Sequence, residues 1–337
     1  MLKCFQFAEN KSDTIQVIFL PGMDVIKVNP GEIVDISDVD SVPSFFERIP
    51  NVISYILDRN IEQVTLKRES AVGDILMMVP VAKYLKKKYG LNVFIQTFNN
   101  LDEVIPHLGV GMVNRPTGLT VCLDRVVEKD HTVKECQKYH RIELYLRALG
   151  MEDEFKSSDL NWDCDFVDFG YPVIDGDYMV FHGIGSRLNK SLKYVAINEA
   201  LRILSKKYKV VYIGPEKEIE KVDNVFYACE KYSLVQLFNI ITLAKCLICM
   251  DSAPLWISHF TKTPVVAVLG PTPAKNRISF HPLYEEGARA IQLNDDINCQ
   301  SCFEHAVACN FKFKCLDISG KELCDKINGY VEGFMGN

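Results

Sequence analysis

The stretch "RESAVGDILMMVPVAKYLKKKYG", Arg68 to Gly90, decides how this chain is read. The residues just before it, "EQVTLK", alternate as a half-buried strand does. After Gly73-Asp74 the apolar residues recur along a stripe at helical spacing. Lys86, Lys87 and Lys88 sit where cationic side chains complement a helix C-terminus. Pro80 predicts a kink. Strand, glycine turn and helix make the opening of a parallel α/β unit. Asp74 stands at the mouth of the helix, where an acid is ordinarily a cap. The alternative is that it carries chemistry.

Working outward, strands and helices alternate from Ile61. "LNVFIQT" and "LTVCLD" read as strands and "HTVKECQKYHRIELYLRALG" as a helix. "DCDFVDFGYPVIDGD", Asp163 to Asp177, breaks the rhythm with Gly, Pro and Asp and reads as a linker. A second set follows. Its strands are "YMVFHG", "KVVYIG", "NVFYAC", "CLICM" and "PVVAVLG"; its helices are "YVAINEALRILSKKY", "SLVQLFNIITLAK" and "APLWISHFTK". Continuous β-branched runs between Gly and Pro suit strands buried on both faces. Before Ile61, Pro-Gly turns separate short strands, and a short helix is expected over residues 44–59. The expectation is an α/β protein of two doubly wound, Rossmann-like domains, 61–168 and 175–337. A small β-rich extension, 1–60, precedes them, either as an appendage or packed on the next domain. Ligands of such sheets bind at the carboxyl ends of the strands.

Bulk properties exclude some classes. The net charge of −6 argues against a general nucleic-acid binder, which needs a basic face. No apolar run is long enough to span a membrane, and the first residues lack the apolar region of a secretory signal. Twelve cysteines in a chain expected to be cytoplasmic suggest reduced thiols, with metal or catalysis where they cluster.

Three strand ends of the second half carry polar or glycine-rich loops. Gly183-Ile184-Gly185-Ser186 followed by Lys190 could hold an anion with backbone N–H groups, a hydroxyl and an ammonium, or be a turn. Asp251-Ser252-Ala253-Pro254 opens a helix whose N–H groups could meet a diphosphate, or simply caps it. Gly270-Pro271-Thr272 ends a strand at the same rim.

In order and spacing these pieces resemble glycosyltransferase family 9, the ADP-heptose heptosyltransferase group. They are Gly-Asp before a helix, "HGIGS" with Lys four residues past the Ser, "IGPEKE", "SLVQLFNIITLAKCLICMDSAP", "TPVVAVLGPT" and "CQSCFEHAVACNFKFKCLDI". "HRIELYLRALGM" is similar to the helix before the family's linker. The resemblance covers Ile61 onward and implies the GT-B fold, two Rossmann-like domains facing across a cleft. It implies an inverting transfer of a sugar, heptose above others, from an ADP-heptose-like nucleotide donor to a hydroxyl. Asp74 would be the general base. Gly185, Ser186, Lys190, Asp251, Ser252, Ala253 and Pro254 would hold the diphosphate, Glu218 the ribose, and Thr272 would lie near sugar and phosphate. Catalysis would need no cofactor. The acceptor, a glycan, a lipid-linked glycan or a protein, is not specified, and the enzyme would be cytoplasmic or peripheral to the inner face of a membrane. The family often has Gly where Ala253 stands, His where Trp256 stands and an aromatic where Leu192 stands; His259, one turn on, is a candidate substitute. These departures keep a second reading open, a non-catalytic GT-B descendant that binds a nucleotide or glycan as a scaffold.

Cys299, Cys302, Cys309 and Cys315 have spacing suited to a tetrahedral zinc or iron site. The family shows a similar knuckle, where its role is structural. Buried reduced thiols or a disulfide are the alternatives, and His305 and Cys324 are competing ligands.

Overall fold

A computed structural model describes residues 5–19, 25–37, 39, 44–69, 71–98, 101–126, 136–151, 156–165, 174–229, 232–293, 309 and 312–336. The chain divides into two units, Met1–Asn161 and Trp162–Asn337. Both are built on a sheet, and the fold class read from the sequence, α/β with two parallel-strand sheets, is the one observed.

In the first unit β1 (Phe7–Asn10), β4 (Glu32–Asp35) and β5 (Phe46–Ile49) come from the N-terminal segment; β6 (Gln63–Lys67), β7 (Asn92–Gln96), β8 (Gly111–Met112) and β9 (Leu119–Cys122) follow. The order is β5-β1-β4-β9-β6-β7-β8. Pairing is parallel from β4 through β8, and β1 runs antiparallel to β4 and β5. The β-rich N-terminal segment therefore does not hang free. It continues the sheet, while β2 (Gln16–Phe19) and β3 (Val25–Val28) form a separate hairpin. A buried ion pair between Lys67 on β6 and Glu32 on β4, 2.9 Å, ties the two parts together. Burial works against the Lys67 ammonium, but the hydrogen bond and charge of Glu32, with Glu69 nearby, leave the pKa of Lys67 raised. The helix expected over 44–59 is shorter. Residues 46–49 pair as β5, and α1 (Val52–Asp58) starts after Pro50, whose fixed φ and missing N–H separate strand from helix. Asn51 caps α1 through Ser54 N and donates to Gly150 O, which pins this helix to the end of α3 (Arg141–Ala148).

The helix of the opening stretch is α2 (Val72–Tyr89), and it continues through Pro80. Ile75 to Ala82 are all buried, so its first half is packed on every face rather than along a stripe. Gly90, at φ 70°, ends it in the left-handed conformation that favours glycine. The helix read over 131–150 is shorter: among its described residues Cys136–Lys138 make a single 3-10 turn, and the α-helix is α3, which starts at the capping box of His140 and Glu143.

The second unit has β10 (Met179–His182), β11 (Val210–Tyr212), β12 (Val225–Tyr227), β13 (Cys246–Met250), β14 (Val265–Leu269) and β15 (Ala288–Gln292), in the order β12-β11-β10-β13-β14-β15. All pairs are parallel. The chain starts in the middle, winds out one way, then returns to the centre and winds the other, the Rossmann order. "CLICM" and "VVAVL" are buried at every position because helices cover both faces. Burial raises the thiols of Cys246, to about 12, and Cys249, so both stay protonated small core residues. The helices are α4 (Tyr194–Leu204), α5 (Leu234–Thr242), α6 (Ala253–Thr261), α7 (Lys275–Ile278) and α8 (Gly320–Met335). At Gly320 a Cβ would stand 2.4 Å from Ala196 O, so only glycine lets α8 close onto α4.

Candidate functional site

The sheet order of the second unit reverses between β10 and β13, and the loops after these strands meet there. The β13 loop begins with Asp251, whose carboxylate is buried. Its Oδ1 accepts Arg277 Nε at 2.8 Å; its Oδ2 pairs with Lys190 Nζ at 3.2 Å and accepts Thr272 Oγ1 at 3.2 Å. Two cations thus converge on one carboxylate at the strand ends, with Lys190 delivered by the β10 loop and Arg277 by α7. Arg277, fully buried, has no motif around it in the sequence and is one of the residues that sequence reasoning missed; nothing short of the fold brings it 26 positions back to Asp251.

The other residues of the expected donor site have varied fates. Gly185 N–H donates to Lys190 O, 3.1 Å, and Ser191 Oγ, 3.0 Å, so it closes its own loop rather than facing an anion. A Cβ there would lie 2.6 Å from Lys190 O, which is why the position must be glycine. Ser186 is exposed beside it. Ser252 is the N-cap of α6, but its hydroxyl turns back to Met250 O at 3.1 Å, and no side chain caps the helix. The first-turn N–H groups, at Ala253 and beyond Pro254, therefore keep the positive end of α6 without a capping oxygen from Ser252. Thr272 is buried and its hydroxyl is spent on Asp251. Glu218 is not on a helix. It lies exposed in a turn at φ 67°, and its carbonyl holds Asn198 Nδ2 at 3.0 Å.

His182 ends β10; its Nδ1 donates to Ile213 O at 2.8 Å, so the tautomer is set and Nε2 is the acceptor. Burial lowers its pKa, which keeps the ring neutral. His259 does not replace the family histidine at a binding position. It is fully buried among the rings of Trp162, Trp256 and His281, with Nδ1 2.9 Å from Leu255 O. His281 accepts Leu283 N–H at Nδ1, 3.0 Å, so Nε2 carries the proton toward Ser258 Oγ, 3.2 Å. Burial lowers its pKa to about 4.

In the first unit the sheet reverses between β6 and β9, and a second charged cluster sits there. Asp74 is the third residue of α2, and Ala71, at φ 65°, is the N-cap, with no side-chain cap bond. The side chain of Asp74 is not a cap. Oδ1 takes Arg141 Nη1 at 2.7 Å and Oδ2 takes Arg68 Nη2 at 3.0 Å; the residue is 5% exposed. Tyr145 Oη donates to its carbonyl at 3.3 Å. This differs from the arrangement a general base requires, a carboxylate oxygen that an alcohol can reach. Both oxygens face guanidinium groups under packed side chains. Arg68 also pairs with Asp124 Oδ1, 3.3 Å, which accepts Glu69 N–H at 2.8 Å. Asp124 stands just after β9 with its side chain 24% exposed. Neither arginine nor Asp124 was legible as a partner of Asp74.

Of the cysteine set, Cys299 and Cys302 lie outside the described residues, as does His305. Cys309 Sγ accepts Phe313 N–H at 3.3 Å, and Lys312 and Phe313 turn the chain at φ 50° and 58°. Cys315 is buried and packs with Leu316 against Gly270, next to the loop that carries Thr272. Among the described residues no group of three or more His, Cys, Asp or Glu is placed to hold a metal. Among them, too, no helix is long and apolar enough to cross a membrane.

No family model matches the chain, and no curated protein does. Solved structures do. The iron-containing dodecameric glycosyltransferase TibC from enterotoxigenic E. coli H10407 is similar over 99% of this chain and 93% of its own, at 13% identity and TM-score 0.61. E. coli heptosyltransferase WaaC with ADP is similar over 82% of this chain and 100% of its own, at 12% identity and TM-score 0.53. A glycosyl transferase family 9 protein from Veillonella parvula DSM 2008 is similar over 81% and 97%, at 12% identity and TM-score 0.52. The difference in coverage between TibC and the other two is about the size of the segment before Ile61. At these identities the likeness establishes the fold, the two-unit α/β architecture of the GT-B glycosyltransferases.

Proposed function

We propose that the protein is a glycosyltransferase that takes a nucleoside-diphosphate sugar as donor. The observation that carries this is the convergence of Lys190 and Arg277 on Asp251 at the strand-order switch of the second unit, beside the helix end at Ser252. A leaving diphosphate gains negative charge as the glycosidic bond breaks. The Lys190 ammonium, turning from Asp251 on its flexible stem, and the helix N-terminus would meet that charge. Asp251 orients the lysine, and Thr272 and Arg277 orient Asp251. The solved neighbours bind ADP and ADP-heptose by name, so an ADP-linked heptose is the first donor to try. The transfer is proposed to invert the anomeric centre in one displacement.

For the proton acceptor the sequence points to Asp74, and its closure behind two arginines moves the proposal. Asp74 positions Arg68. Asp124, on the same guanidinium and partly exposed, is the carboxylate an incoming hydroxyl can reach. Nucleoside-diphosphate release from ADP-sugars, followed for wild type, Asp74→Asn and Asp124→Asn, tests this. The expected result is loss of turnover with intact ADP binding in Asp124→Asn. Full turnover in that variant, with none in a stable Asp74→Asn, returns the base role to Asp74. The closed Asp74 also favours a second reading, a nucleotide-binding protein without turnover; ADP binding with no release from any ADP-sugar would select it. No binding of any nucleoside diphosphate would remove both. The cysteines would hold zinc or iron in a structural role at Cys299, Cys302, Cys309 and Cys315.

A further inference from the structure

We propose that the side-chain amide of Asn189 contacts the bound nucleotide, at a group that both donates and accepts a hydrogen bond; this rests on the nucleoside-diphosphate reading above. The turn Arg187-Leu188-Asn189-Lys190 inverts ordinary burial. Leu188 is 76% exposed and Asn189 is 2% exposed. A turn shaped by stability alone would bury the leucine and leave the amide in water. Both Oδ1 and Nδ2 of Asn189 are buried, and neither has a hydrogen-bond partner among the described residues. The large majority of buried side-chain polar atoms have one.

The amide does not hold the turn together. Gly185 N–H closes on Lys190 O, Lys190 N–H on Arg187 O, and Ser191 N–H on Leu188 O, while Ser191 Oγ binds Arg187 O. The hydrogen bonds of the loop are thus made by backbone and one serine, without the side chain at 189. The next residue, Lys190, delivers its ammonium to Asp251 at 3.2 Å. The amide therefore belongs to one of the segments that feed the switch point, where ligands of this sheet type bind. A neutral amide has a donor end and an acceptor end. A phosphate oxygen only accepts and would leave Oδ1 unmet. A ribose hydroxyl, or a nucleobase edge with an N–H beside a ring nitrogen, satisfies both ends.

The test is calorimetric titration of wild type, Asn189→Leu and Asn189→Ala with ADP, 2′-deoxy-ADP, inosine diphosphate and pyrophosphate, with melting temperatures alongside. Both variants are expected to bind ADP about tenfold more weakly and pyrophosphate as wild type does. Their Tm is expected to hold or to rise by about 2–4 °C, because an unmet buried amide is gone. If the contact is to the ribose, the variants' deficit vanishes with 2′-deoxy-ADP; if to the base, it vanishes with inosine diphosphate. Unchanged ADP affinity overturns the assignment. So does an equal loss for pyrophosphate, or a Tm lowered in both variants, which would make the amide structural. Where the leucine variant alone fails to fold, the alanine variant decides. Wild type that binds no nucleoside diphosphate removes the nucleotide reading itself, an outcome separate from any result on position 189.

Discussion

The first unit gathers Arg68 and Arg141 on Asp74 and gives Arg68 a second carboxylate, Asp124. The second unit gathers Lys190 and Arg277 on Asp251. Each cluster occupies the strand-order switch of its own sheet, and each is built on an aspartate just past a strand or at the start of a helix. The partners differ in kind. Two planar guanidinium groups lock Asp74 from both sides, which suits a fixed joint between the β6 loop, α2 and α3. In the second cluster one of the cations is a lysine, a compact charge on a flexible stem that can turn from a carboxylate to a phosphate. An aspartate at a strand end is thus not one signal. Its meaning depends on which cations reach it and on whether they can let go.

Deleting the carboxylates gives the largest contrast. Asp74→Ala and Asp251→Ala each leave two buried cations without their shared partner and are expected to cost about 3–5 kcal/mol of stability, read by urea unfolding. Only Asp251→Ala is expected to change ADP affinity as well. An equal effect of both on ADP would erase the distinction between the clusters.

Protonation sharpens it next. His281 packs beside the second cluster's helices with its pKa lowered to about 4 by burial. Above about pH 6.5 the ring is neutral folded and unfolded, and the fold keeps its full stability. Between pH 6.5 and 4 the unfolded chain takes up a proton that the folded one refuses, so stability falls, by about 3 kcal/mol in all. His281→Gln is expected to flatten that part of the pH profile. An unchanged slope would show that the ring is not the titrating group.

Lys190→Ala is expected to weaken ADP binding by about 10–100-fold, the worth of a charge-assisted contact of about 1.5–3 kcal/mol, and to steepen with falling salt in the wild type alone. Arg141→Lys is expected to leave ADP affinity unchanged. Calorimetry reads both, and a reversed pattern would exchange the roles of the units. The smallest effect is at the cysteines. Elemental analysis is expected to find zinc or iron in the wild type and less in Cys309→Ser, with ADP affinity unaltered; no metal in the wild type would leave four thiols and no knuckle.

Much of this was legible in the amino-acid order. The apolar run "CLICM" and the β-branched run "VVAVL", the latter between Pro264 and Gly270, read as strands covered on both faces, because continuous apolar runs of this length suit such strands. At Gly185 the turn reading is the one observed, and the structure supplies its reason, the approach of Lys190 O; the φ of 70° at Gly90 was read only from the structure. Lys190 and Asp251 were legible as candidates because both follow strand ends. The closure of Asp74, the arrival of Arg277, and the joining of β1, β4 and β5 to the sheet were not, because each is a contact between residues far apart in the chain. A carboxylate's role is set by the charges that fold onto it, and sequence carries the spacing of those charges without their destination. Tertiary structure alone decided that the first unit's aspartate is locked and that the second unit's cations are gathered.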